Sequence, residues 1–82
     1  MTKKQRQKLL VDHNIQQARK LVNQAERANK GRYAHNINAC MLRIKDLLKK
    51  KSPKTTRGKS FIELCKHKQA LASYLYLTEK KI

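Results

Sequence analysis

KKKSPKTTRGKSFIE, residues 49–63, decides how this chain folds, because one helical pattern stops inside it and another starts. Pro53 has no backbone N–H and cannot continue a helix, and it pushes Ser52 towards an extended conformation. Ser60-Phe61-Ile62-Glu63 then fits a capping box, with Ser60 as the cap and Glu63 reaching back three residues later. Between these signals the twelve positions 49–60 hold six cations and no carboxylate.

Outward from this joint, apolar residues recur at helical spacing in both directions. Downstream, Phe61, Leu64, Cys65, Leu71, Ala72 and Leu75 form a stripe that predicts a helix over 60–79. Lys68 falls on that stripe and must snorkel out. Upstream, Tyr33, Ile37, Cys40 or Met41, Ile44 and Leu47 or Leu48 predict a helix over 33–50. Farther back, Val11, Ile15, Ala18, Val22 and Ala25 alternate by four and three, with Leu10, Leu21 and Ala28 widening the stripe. They predict one long helix over 3–29, whose polar start, Lys3 to Lys8, is expected to fray. Asn29-Lys30-Gly31 is a helix stop, with Gly31 suited to a left-handed position. The short connection there folds helices one and two into an antiparallel hairpin. No β-branched alternation occurs. The expectation is one all-α, three-helix basic domain spanning 1–82, its third helix following the basic loop.

The chain has 82 residues and carries 21 Lys and Arg against five acids, a formal charge of +16. Self-repulsion at that density opposes compaction unless counter-ions or a partner intervene. A pI near 10.4 points first to nucleic acid. The cations number eight in residues 1–30, eight in 31–58 and five in 59–82. A polyanion is therefore expected along helix one and the middle of the chain. No apolar run is long enough to span a membrane, and no signal-peptide core is present. A cytoplasmic protein, or one of an organellar matrix, is expected. Cys40 and Cys65 lie within apolar patterns and read as free buried thiols.

Lys49 and Lys50 complement the dipole at the end of helix two, a role that does not explain Lys54, Arg57 and Lys59, and the whole Lys49–Lys59 loop, Lys51 included, is the expected phosphate contact. Thr55, Thr56 and Ser60 interleave hydroxyls that can donate to phosphate oxygens, and the start of helix three offers free amides nearby. Asn36, Arg43 and Lys50 are spaced by seven on helix two, as are Ser60, His67 and Tyr74 on helix three. Brought together, these faces offer an amide, a guanidinium, an imidazole and a phenol beside the basic loop. Such a mixture suits structured RNA, whose 2′-hydroxyls and exposed bases are contacted along with phosphates. Arg6, Arg19, Lys20 and Arg27 form a secondary basic set on helix one, suited to non-specific duplex binding.

The order of residues resembles the bacterial-type small-subunit ribosomal protein fifteen family. Its second helix carries an Arg- or Gln-Ile-x-x-Leu, similar to Arg43-Ile44-Lys45-Asp46-Leu47. Its third helix opens with Ser-Arg-Arg-Gly-Leu and closes near Leu-x-Tyr-Leu. Thr56-Arg57-Gly58 with Phe61-Ile62, and Ala72-Ser73-Tyr74-Leu75, are similar. A family Gly and Gln fall at Gly31 and Asn36. The resemblance covers about residues 31–77 and implies binding to a ribosomal RNA junction, with Gly31, Asn36, Arg43 and Tyr74 as contacts. The loop here is shorter than the family's and lacks its minor-groove-reading His and Asp. The family's last helix has no counterpart, and helix one is longer.

Other chemistries fit less well. Cys65 and His67 face different directions on a helix and no Cys-x-x-Cys exists, so no metal site is expected. A small ribonuclease could use His13, His35 or His67 as a general base, yet nothing marks one as activated. The helix 2–3 connection is too long for helix-turn-helix DNA recognition. A small accessory or phage-type protein that docks on an acidic protein partner or DNA is the other alternative. The expectation is a non-catalytic RNA-binding protein, ribosome-associated, with ribosomal proteins as possible neighbours. No cofactor, membrane or small-molecule substrate is expected.

Overall fold

A computed structural model of the chain describes residues 2–28, 30–50 and 52–79. Three helices account for nearly all of it: α1 (Lys3–Arg27), α2 (Ala34–Lys50) and α3 (Lys59–Glu79). No strand occurs among the described residues. The three-helix, all-α architecture expected from the apolar spacing is what the chain adopts.

α1 starts with a cap that the sequence reading passed over. Thr2 Oγ1 accepts from the Gln5 amide at 3.3 Å, and Gln5 Oε1 accepts from the Thr2 amide at 3.1 Å. This reciprocal capping box satisfies two free donors at the polar start of the helix. At the other end the helix stops at Arg27, with Ala28 as its cap and the Ala28 amide donating to the Gln24 carbonyl. Asn29, part of the expected stop, lies outside the described residues. Gly31 has φ +97°, in the left-handed region, and a Cβ there would meet nothing. Its need for glycine is therefore a backbone need alone.

At α3 the capping box expected from Ser60 and Glu63 does not form. The helix already begins at Lys59, so Ser60 sits inside its first turn, and the Ile62 amide bonds back to the Gly58 carbonyl. Glu63 turns forward instead, its Oε2 lying 3.1 Å from His67 Nε2 one turn on.

The helices run up, down and up. Glu26 of α1 meets Lys45 of α2 at 2.7 Å, while Val11 lies beside Pro53, so these two helices are antiparallel. Asn14 accepts from Lys68, and Gln24 donates to Glu79, so α3 runs parallel to α1. Ala18, Val22 and Ala25 of α1, Ile37, Met41 and Ile44 of α2, and Leu64, Leu71 and Leu75 of α3 fill the centre. The molecule measures 46 × 24 × 16 Å, a flat prism with three long seams between its helices.

Several residues of the expected stripes are not fully buried. Leu10 is 54% exposed, its position on α1 being turned away from α2. Phe61, Cys65 and Ala72 are only half-buried. Leu64, Leu71 and Leu75 take the central positions on α3, and Cys65 and Ala72 lie one position round, on the α1 edge. Lys68 snorkels as expected, reaching across to Asn14 and to Gln17 Oε1 at 2.9 Å. No described helix is long and apolar enough to cross a membrane.

Candidate nucleic-acid interface

The basic loop leaves α2 at Lys50 and enters α3 at Lys59. Pro53 is buried, seated against the start of α1 next to Val11, and so pins the loop to the bundle. Lys54, Thr55, Arg57 and Lys59 are exposed, while Thr56 and Ser60 are half-buried. Lys51 lies outside the described residues. The loop is therefore a tethered rim with cations and hydroxyls facing water.

The α2–α3 seam carries the seven-spaced sets. Asn36, Arg43 and Lys50 fall on the α3 flank of α2 and are exposed. Ser60, His67 and Tyr74 fall on the α2 flank of α3 and are half-buried. Tyr74 packs against Tyr33, with ring centroids 5.6 Å apart and planes tilted by 36°. Tyr33 was read only as a core residue, yet it widens the aromatic surface at this seam. Lys50 lies 3.4 Å from Asp46 in an exposed pair of little energetic weight. Gly31 is exposed at the turn that leads into α2.

The α1–α2 seam holds a second set, in which Lys4, Lys8 and Lys45, missed by sequence reasoning, join the expected Arg19, Lys49 and Lys54. Near the loop, Lys4 and Lys8 of α1 line one depression with Lys54 and Thr55, and Asp12 stands at its edge. Farther along, Arg19 of α1 lines another with Lys45 and Lys49 of α2. The signal lay in the four-residue spacings of Lys4 and Lys8, and of Lys45 and Lys49. Of the expected secondary set on helix one, Arg6, Lys20 and Arg27 fall on one seven-spaced row and Arg19 departs from it. Arg19 joins the α1–α2 seam, while Lys20 lines the α1–α3 seam on the other side of the helix.

The five acids do little to offset this charge. Glu26 pairs with Lys45, Asp46 with Lys50 and Glu63 with His67, while Glu79 accepts from Gln24. Among the described residues no carboxylate pairs with Lys4, Lys8, Arg19, Arg43, Lys49, Lys54 or Arg57. None of the helices has an acid in its first turn. α2 thus stands between two cationic flanks, Arg19, Lys45 and Lys49 on one side and Arg43 and Lys50 on the other.

His, Cys, Asp and Glu do not gather in any group able to hold a metal ion, among the described residues. His13 and His35 are exposed on separate helices, and His67 is held by Glu63. Cys40 and Cys65 are both free, and burial pushes the Cys40 thiol above its usual range. Comparison with protein families, with curated proteins and with solved structures returned no match.

Proposed function

We propose that this chain binds structured RNA without catalysing a reaction, as a ribosome-associated protein. The observation that carries the reading is the pair of cationic flanks either side of α2. An A-form duplex has a wide, shallow minor groove bordered by two phosphate strands, and a helix with a basic row on each flank suits that geometry. Lys4, Lys8 and Lys54 extend one row to the loop, where Thr55 and Thr56 supply hydroxyls for phosphate oxygens. Arg43, Asn36, His67 and the Tyr33–Tyr74 pair are the groups suited to sugar edges and unstacked bases at a junction. Arg6, Lys20 and Arg27 stand outside this surface. The ribosomal part of the reading rests on the sequence resemblance over residues 31–77.

The test is affinity for a three-way-junction RNA, plain duplex RNA and duplex DNA, each over a salt series. Tightest binding to the junction, persisting at high salt, is the expected result. Lys49→Glu with Lys54→Glu should lower affinity for every ligand and reduce the salt slope by about two. Equal affinities that collapse together as salt rises would leave only generic attraction to polyanions and overturn the reading.

A further inference from the structure

The third seam, between α1 and α3, has a different chemistry from the other two. On α3, Ile62, Cys65, Gln69, Ala72 and Tyr76 repeat at spacings of three and four, the pattern of a coiled-coil seam. This stripe is separate from Leu64, Leu71 and Leu75, which face the core. α3 therefore carries a second apolar stripe, whose ends are exposed among the described residues. Ile62 is 59% and Tyr76 56% exposed. Across the seam, α1 contributes Leu10, Gln17 and Leu21 on the same rhythm. Gln17, Leu21, Cys65, Gln69 and Ala72 line a groove together with Lys20 and with Lys68, which reaches across it to Gln17.

The edges of this groove are basic rows. Arg6, His13, Lys20 and Arg27 recur every seven residues along the outer flank of α1. Lys59 and Lys66 do the same on the outer flank of α3. These rows hold the positions where flanking charges in coiled coils select the partner. None of the described carboxylates pairs with them, and Glu79, at the far end, is taken by Gln24. A second copy of this chain would bring another +16 and the same cationic rows against them. We infer that the α1–α3 seam receives an amphipathic helix with acidic flanks from a different protein, completing a four-helix bundle. The stripe from Ile62 to Tyr76 is about 21 Å long at 1.5 Å per residue, which sets a partner helix of about five turns once its ends overhang.

The inference is independent of RNA binding, and Cys65 reports on it directly. That thiol lies half-buried in the groove floor, whereas Cys40 is buried in the core. The probe is a three-heptad peptide with leucine on its seam and glutamate on both flanks, compared with a peptide of identical composition whose leucines are scrambled. The patterned peptide should bind saturably and slow alkylation of Cys65 about tenfold at saturation. Ile62→Glu with Tyr76→Glu should weaken it at least about tenfold, with helicity and affinity for duplex RNA preserved. Lys20→Glu with Lys66→Glu touches no core residue and should shift preference to a lysine-flanked version of the peptide. Equal binding of the scrambled peptide, or no protection of Cys65, would overturn the inference. So would protection of Cys65 by duplex RNA or by self-association of the chain alone.

Discussion

The two cysteines show how far one position along a helix changes a residue's chemistry. Cys40 faces the interior of α2 beside Ile37 and Ile44, and burial raises its pKa above the ordinary 9.0 because a thiolate is poorly solvated there. Cys65 is one step off the buried line of α3. A thiol reagent at neutral pH should therefore modify one cysteine quickly and the second only on unfolding. Fast loss of both thiols would mean that the core opens readily. The raised Cys40 pKa also has a stability consequence of definite sign. The unfolded chain loses this proton at lower pH than the folded one, so stability falls as pH rises beyond the unfolded thiol's range. Cys40→Ala should lose that part of the alkaline destabilisation, measured as the difference between the two proteins' unfolding midpoints across pH 7 to 10. The core itself was legible in the sequence where stripes were regular, as at Val11, Ala18, Val22 and Ala25. It was not legible at Leu10, Cys65 and Ala72. Their apolar character fits either a core or a second stripe, and only the packing of α3 against α1 separates the two.

At the scale of the element, the outcome at the two capping sequences inverts the expectation. Ser-x-x-Glu at residues 60–63 has the better signature, yet α3 begins one residue earlier and Glu63 engages His67. Thr-x-x-Gln at residues 2–5 is the box that forms. A capping motif is a local pattern, and the loop that delivers the chain decides whether its first residue has the extended backbone a cap needs. Thr2 has φ −79° and ψ 163°, which is that conformation. Thr2→Ala should thus cost α1 about 1 kcal/mol, read as faster amide exchange in its first two turns. Ser60→Ala should change stability by no more than about 0.5 kcal/mol in a denaturant titration. A loss as large as that of Thr2→Ala would restore Ser60 as a cap. The site was partly legible at this scale as well. The seven-spaced sets on α2 and α3 do flank one seam, because spacing along a helix fixes which residues share a face. Arg19 and Lys49 were legible as candidates, but their meeting with Lys4, Lys8 and Lys45 along one seam was not. Which flank of α1 meets α2 depends on the hand of the bundle, and the apolar stripes are compatible with either hand.

The whole molecule is governed by the distance over which its cations feel one another. At about 0.01 M salt the screening length is about 30 Å, and at about 0.15 M it is about 8 Å. The molecule is 24 Å by 16 Å in its two shorter dimensions. At low salt, then, cations on all three seams repel through and around the bundle, and at physiological salt only neighbours within one seam still do. The helix dipoles add to the cost, since α1 opens on Lys3 and Lys4 and α3 on Lys59, cations at ends that favour anions. Among the described residues eleven apolar side chains are buried, four of them alanine or valine, a modest core to set against this. Thermal midpoint should therefore rise steeply with sodium chloride over this range and flatten above it. Lys49→Glu with Lys54→Glu removes like charge from the densest part of the surface, and should raise the low-salt midpoint while leaving the high-salt one nearly unchanged. A wild-type midpoint that does not move with salt would mean the compact state already tolerates its charge. In that case a polyanion would add binding energy without being needed for folding. A steep rise would instead make any anionic ligand a folding partner, its affinity coupled to stability through the same repulsion that it relieves.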